Sequence, residues 1–176
     1  MTIIETKLDG AYIIKPDVFE DERGWFMETY CRKKMPQIIC DFVQDMQAYT
    51  AQKGTIRGIH FQHPPFSQAK LVRCTHGVIM DFAVDLRPLS KTFKQWIGVE
   101  LSAENKKQLF IPHGFGHAYL TLTSDAGTLY KVVNYYSPEH FATILWADPE
   151  IGIPWNIAEP ILSDRDKFAP LLKSCF

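Results

Sequence analysis

Apolar and polar residues alternate strictly from Val78 onward. Val78, Met80, Phe82, Val84 and Leu86 share one face of an extended chain, and Ile79, Asp81, Ala83, Asp85 and Arg87 share the other. A period of two predicts a β-strand with one apolar face and one face rich in charge, ended at Arg87-Pro88. The segment before it, 54–74, reads as strand, turn, strand, and His76-Gly77 reads as the turn leading into the next strand. Further strands are predicted at 93–101, 108–111, 118–122, 128–133 and 143–146. Turn signals separate them: Ser102 to Asn105, Pro112 to Gly114, Ser124 to Gly127 and Ser137-Pro138. Short strands at this spacing predict an all-β sandwich or barrel. Helix is predicted at two places only: 31–39, and a tail over 163–173 with Ser163 or Asp164 as N-cap.

Length and composition narrow this further. The chain has 176 residues, enough for one sizeable core, so residues 1–176 are read as a single domain. An N-terminal arm of about residues 1–50, with strand-like patterns at Tyr12-Ile-Ile14 and Trp25 to Tyr30, offers edges that would pack against or exchange with a second copy. A homodimer is therefore expected. The net charge is −1, which leaves no basic footprint for nucleic acid, so any anionic ligand must be held by local cations. No run approaches the ~18 apolar residues of a membrane span. Glu5, Lys7 and Asp9 interrupt the N-terminal pattern where a signal peptide would be apolar, so a cytoplasmic protein is expected. Cys31, Cys40, Cys74 and Cys175 form no C-x-x-C pair and are read as thiols, Cys74 as a buried one.

The stretch 54–74 carries Arg57, His60, His63, Lys70 and Arg73 inside a β-pattern. On a regular strand Ile59 and Phe61 face one way and His60 the other. If Ile59 and Phe61 pack an outer layer, His60 points into the barrel. A histidine there serves as a structural hydrogen-bonder, a metal ligand or an acid–base group, and spacing alone leaves all three open. Arg57 has the opposite parity to His60, so a shared site requires a bulge or sharp twist near Gly58. A metal would have to draw on His60, His63, His113 and His117. The three-residue step from His60 to His63 puts them on opposite sides of a straight strand, and His113 and His117 flank a turn, so no metal is expected. Lys70, Arg57, Arg73 and Arg23 have the chemistry to cradle phosphates, although single cations usually lie on solvated faces. Taken alone, Tyr130 reads as a packing residue. Asp166 reads as a helix N-terminal acid, of interest only if the tail folds back over His60.

Together these pieces resemble the dTDP-4-dehydrorhamnose 3,5-epimerase family. The likeness runs in order through Asp21 to Glu28, Phe42 to Asp45, Arg57-Gly-Ile-His-Phe-Gln62, Lys70-Leu-Val-Arg73 and Ala83 to Arg87. It continues through Leu101 to Asn105, Ile111 to His117, Leu129-Tyr-Lys131, Ile144-Leu-Trp146 and Leu162 to Asp166. The resemblance implies a cupin-like jelly-roll β-sandwich with a short C-terminal helical tail, dimeric and free of metal and cofactor. It implies a nucleotide-linked 4-keto-6-deoxyhexose substrate. By the same resemblance His60 aligns with the catalytic base, Asp166 with the acid that orients it, Tyr130 with the proton donor and Lys70 with the cation near the keto oxygen. Arg23, Glu28, Gln44, Arg57 and His117 align with ligand-contacting positions. Arg165, within the last motif, is grouped with them. The arm bearing Arg23 and Glu28 is expected to reach the partner's site.

The chemistry accounts for such a set. A ketone at C4 acidifies the C–H bonds at C3 and C5, and removing either proton gives an enolate that needs a fixed positive group beside its oxygen. A neutral imidazole takes the proton near pH 7, and a paired carboxylate stabilises the imidazolium. Inversion then needs a second donor across the ring. Two positions depart from the family pattern: Met46 stands where Asn is common, and Phe141 where many members carry Glu. Phe141 adds an aromatic face that could stack on a base. These changes touch binding and leave open the nucleotide, the sugar, and whether C3, C5 or both are inverted. The alternatives are a single-centre epimerase on another nucleotide sugar, a metal-dependent cupin such as a dioxygenase, and an inert sugar-nucleotide-binding cupin.

Overall fold

The N-terminal half of the chain forms strands β1 (Thr2–Glu5), β2 (Tyr12–Lys15), β3 (Val18–Asp21), β4 (Gly24–Met27), β5 (Gln44–Thr50), β6 (Ile56–Gln62), β7 (Lys70–His76) and β8 (Val78–Asp85). Then follow β9 (Trp96–Ser102), β10 (Gln108–Ile111), β11 (Phe115–Thr121), β12 (Ala126–Val132), β13 (Phe141–Thr143) and one short helix, α1 (Asp164–Lys167). A computed structural model describes residues 1–175. The strands form a six-stranded sheet in the order β1-β2-β10-β7-β12-β5, a five-stranded sheet in the order β13-β6-β11-β8-β9, and a separate β3–β4 hairpin. Every ladder is antiparallel. This is the all-β sandwich expected from the strand spacing, in the cupin-like jelly-roll form that the resemblance implies. No described helix is long and apolar enough to cross a membrane.

Three apolar clusters define the layers. Val72, Leu109 and Tyr130 of the large sheet meet Ile79, Ala83, Leu101 and Tyr119 of the small one, forming the interior between the sheets. The outer face of the small sheet, carrying Ile56, Ile59, Phe61, Phe82 and Val84, is covered by the C-terminal segment through Ile151, Trp155 and Leu172. The outer face of the large sheet, carrying Ile14, Leu71 and Phe110, is covered by Met35 and Ile38. Each sheet is thus buried on both faces, which explains why β8 lacks a solvated side. Its apolar face packs outward under the C-terminal segment. Its polar face, where Asp81 and Asp85 are both 0% exposed, turns inward.

The sequence reading of β6 holds in detail. Ile56, Ile59 and Phe61 all join the outer cluster, although Ile56 and Ile59 are three apart. The ladder to β11 shows how: His117 faces His60 and Tyr119 faces Arg57, so three steps on β6 match two on β11. That is a bulge at Gly58–Ile59, and it turns Arg57 and His60 toward the same side. Gly58 has φ +126, and a Cβ there would lie 2.5 Å from Ala118 Cβ and 2.7 Å from the His117 carbonyl oxygen. Only glycine fits this approach.

Four expectations need correction. The helix at 31–39 is a single 3-10 turn, Arg32–Lys34, with Pro36 close behind to prevent continuation. The helix at 163–173 shrinks to α1, capped by Ser163 as expected, with its hydroxyl accepting from the Asp166 N–H at 3.2 Å. Pro170 then breaks it from a second 3-10 turn, Leu172–Ser174. The strand predicted at 93–101 starts only at Trp96, because Lys94 adopts φ 69 in the preceding turn. The last strand lies at Phe141–Thr143, earlier than predicted. Cys74 is buried as expected, and all four cysteines are free thiols.

Gly58→Ala should lose stability by roughly 2–5 kcal/mol, combining overpacking against β11 with backbone strain. Urea unfolding followed by circular dichroism will read this as a lower midpoint at unchanged slope.

Candidate active site

The bulge in β6 aims His60 into the mouth of the barrel, and the C-terminal tail folds back to meet it. His60 Nε2 lies 2.6 Å from Asp166 Oδ1 on α1. Asp166 is nearly sealed, with its side chain 3% exposed against 27% for His60. Burial alone would raise the Asp166 carboxyl, but its hydrogen bond and charge interaction with His60, with help from Ser163 and the Gly58 backbone, hold it below the usual carboxylate value. The ionised carboxylate therefore accepts the Nε2 proton. That fixes the tautomer and leaves the Nδ1 lone pair available as a base.

The neighbouring strand supplies a second such pair. His117 on β11 is the register partner of His60, and its Nε2 lies 2.7 Å from Asp81 Oδ1 on β8. Both are buried, and Asp81 Oδ2 has no hydrogen-bond partner. Burial lowers the His117 pKa, with nearby Lys70 acting in the same direction and Asp81 against it, so this imidazole is neutral at pH 7.

The opposite wall is built by the large sheet. Lys70 opens β7 and Tyr130 lies on adjacent β12, with the Lys70 ammonium 5.9 Å from the Tyr130 ring centroid. The Tyr130 ring in turn is 6.3 Å from the His117 ring, which links the two walls across the interior. Lys70 is 8% exposed. Burial drops its pKa from 10.5 to about 8 despite the opposing pull of Asp81. Burial raises the Tyr130 phenol, Tyr119 adds to this, and Arg57 opposes it. Arg57 reaches from β6 to the large sheet, donating to Thr50 Oγ1 at 3.1 Å and to the Tyr49 carbonyl at 3.2 Å.

An open cavity of about 540 Å³ is lined by Arg57, His60, Ser163, Arg165 and Asp166. A larger groove of about 580 Å³ on the outer face of the small sheet, lined by Met80, Phe82, Trp96 and Trp155, holds no acid–base pair. The smaller cavity is the one that holds the His60–Asp166 pair. Phe141 packs against His60 with ring centroids 5.2 Å apart, and the Arg165 guanidinium lies 5.1 Å from its centroid. Gln44 accepts from the Tyr136 N–H at 3.3 Å. Met46 is directly opposite Tyr130 across the β5–β12 ladder.

Of the predicted residues, the fold gathers His60, Asp166, Lys70, Tyr130, Arg57, His117, Phe141 and Arg165 around the barrel mouth. Arg23 and Glu28 are elsewhere in their bonding. Arg23, with an 84% exposed side chain at the hairpin turn, is bonded to Asp21, and Glu28 is 3.0 Å from Lys34. Arg73 faces away from Lys70 on β7, its Nε buried and without a partner. His113 bonds the Ser67 carbonyl at 3.0 Å and His63 packs on Phe61. Among the described residues no group of three or more His, Cys, Asp or Glu could hold a metal ion. Sequence reasoning missed Asp81. The signal was present in the alternation of β8, since an acid between Ile79 and Ala83 shares their inward face.

Comparison with known proteins shows the family. A family model described as dTDP-4-dehydrorhamnose 3,5-epimerase matches residues 5–174. The dTDP-4-dehydrorhamnose 3,5-epimerase of Salmonella typhimurium is 48% identical over 176 residues, covering 98% of this chain and 96% of that protein. The Bacillus anthracis enzyme of the same name, solved with TDP and PPi bound, superposes with a TM-score of 0.93 at 46% identity, covering 97% of this chain and 98% of that one. The dTDP-6-deoxy-D-glucose-3,5-epimerase of Legionella pneumophila, solved with dTDP-4-keto-L-rhamnose, gives a TM-score of 0.92 at 42% identity over 98% and 93% of the two chains.

The sign of the Lys70 shift yields a stability test. Its folded pKa of about 8 lies below the 10.5 of the exposed group, so between these values the unfolded chain binds the extra proton and stability rises with pH. Lys70→Met should therefore stabilise the fold below pH 8, by on the order of 3 kcal/mol. The advantage over wild type should vanish as pH approaches 10.5. Paired denaturant titrations of both proteins from pH 7 to 10.5 measure it.

Proposed function

This chain belongs to the dTDP-4-dehydrorhamnose 3,5-epimerase family, and from that premise we propose that it inverts C3, C5 or both of a dTDP-linked 4-keto-6-deoxyhexose by proton abstraction at His60. It is an isomerase. The observation that carries the proposal is the 2.6 Å His60–Asp166 pair on the small sheet's side, linked through His117, the register partner of His60, to Tyr130 and Lys70 on the large sheet.

The steps follow from the groups present. Asp166 holds the Nε2 proton, so His60 Nδ1 takes the proton from the carbon next to the C4 ketone. The electron pair moves onto the keto oxygen. The Lys70 ammonium stabilises that oxyanion in a water-poor interior, where a fixed charge acts more strongly than in bulk solvent. Tyr130 returns a proton to the opposite face of the same carbon, which inverts it. His60 and Tyr130 project from facing sheets, and this matches the demand for base and acid on opposite sides of the sugar ring. Arg57 and Arg165 supply cations for the diphosphate, and neutral His117, held by Asp81, offers a further hydrogen-bonding group to the sugar.

Arg23 and Glu28 serve in a second copy of the chain. The β3–β4 hairpin pairs with neither main sheet, and it displays Phe19, Trp25 and Phe26 at 64%, 54% and 70% exposure. Apolar surface of this kind supports a homodimer in which the hairpin covers the partner's cavity. A single-centre reading stays in view for one reason. Met46, a departure from the family pattern, stands opposite Tyr130 and bears on which carbon the phenol can serve.

In heavy water with dTDP-4-keto-6-deoxyglucose, NMR should show deuterium entering C3 and C5, or one of them if a single centre is inverted. His60→Ala should cut turnover by about 10²–10⁴-fold and abolish exchange. Near-normal exchange in that variant would remove His60 from the mechanism. Tyr130→Phe should keep exchange while losing inversion. The pH profile of kcat should fall above about pH 8 as Lys70 loses its proton. In Lys70→Arg that limb should move upward, because guanidinium stays charged.

A further inference from the structure

Phe141 packs directly against the imidazole of His60. On β13 it stands opposite Gln62 of β6, while Thr143 stands opposite His60. Residues 60 and 62 share a face, so the Phe141 ring lies diagonally across from the imidazole. The two centroids are 5.2 Å apart with planes tilted by 55°. Two further groups close on the same ring. Tyr136 meets it edge-on at 5.7 Å, and the Arg165 guanidinium lies 5.1 Å from its centroid.

Each neighbour is itself held. Gln62 donates to the Phe66 and Tyr135 carbonyls at 2.7 and 3.2 Å, and accepts from the Ser137 N–H at 2.8 Å. These bonds fasten the segment carrying Tyr136 to β6. Arg165 precedes Asp166 on α1 and makes no ion pair with a carboxylate among the described residues. Its guanidinium is therefore placed by the ring rather than by an acid.

We propose that Phe141 is a positioning residue, which fixes the His60 imidazole against Asp166 and holds the Arg165 guanidinium at the mouth of the cavity. This rests on His60 being the base. The torsion that turns an imidazole is broad, and one hydrogen bond at Nε2 leaves the ring free to swing about that bond. A packed aromatic neighbour removes this freedom and keeps Nδ1 directed inward.

The test compares kcat, KM and the acid limb of kcat/KM for Phe141→Ala, Phe141→Tyr and Phe141→Glu on dTDP-4-keto-6-deoxyglucose, beside His60→Asn. Phe141→Ala should lower kcat by roughly 10–100-fold, the scale on which small misplacements of a reacting group act. Phe141→Glu should move the acid limb to higher pH, because a carboxylate this close to the ring favours the charged form. Phe141→Tyr should restore kcat to within about threefold, since it keeps the aromatic face. A rise in KM with kcat unchanged in Phe141→Ala would show a ligand-stacking surface only and overturn the proposal. So would a lower melting temperature with catalysis unmoved. If Phe141→Ala does not fold, the limb shift in Phe141→Glu decides. Normal turnover by His60→Asn would instead sink the assignment of the base, whereas an inactive His60→Asn beside an unaltered Phe141→Ala would sink this inference alone.

Discussion

One short contact ties the molecule's two ends of chemistry together: the bond from His60 to Asp166. A carboxylate as buried as Asp166 has to be paired, because an uncompensated charge away from water is costly. Its partner sits on β6, more than a hundred residues earlier in the chain. Meeting that demand brings α1 back onto the small sheet and closes one side of the cavity. The same bond decides which imidazole nitrogen carries a proton. Structure and proposed chemistry therefore share a single constraint.

The interior between the sheets is unusual for what it holds. Asp81, His117, Lys70 and Tyr130 occupy positions that β-sandwiches normally fill with aliphatic side chains. Acid and base pairs alternate through this space, His60 with Asp166 and His117 with Asp81, while Lys70 keeps its proton against strong desolvation. The apolar cluster that remains between the sheets is supplemented by two outer ones, under the C-terminal segment on one side and residues 30–42 on the other. Long covering segments that looked like loops and tails thus supply core. They let the barrel's middle be polar without exposing either sheet.

Legibility varied with the range of the interaction. The strands of 78–86, 108–111 and 128–133 could be read to within a residue or two, because alternation is a local property of neighbouring side chains. Arg57 and His60 had conflicting parity, and the need for a bulge near Gly58 was readable from that conflict. The helices were overread. The segments predicted as helix at 31–39 and 163–173 pack against a sheet instead, and Pro36 and Pro170 limit both to short turns. Asp81 was passed over because an acid on a strand suggests solvent until the strand is known to be covered on both faces.

The order of the motifs and the two-residue period were enough to determine an all-β chain, its family and the set of candidate acid–base residues, since these depend on residue identity and on neighbours along the backbone. Tertiary structure alone decided which of them meet. Phe141 against His60, Arg165 over Phe141, Met46 beside Tyr130 and Asp81 beneath His117 join residues remote in sequence, through sheet register and the return of the tail. Register and chain return arise from packing the whole domain at once, so no local pattern encodes them.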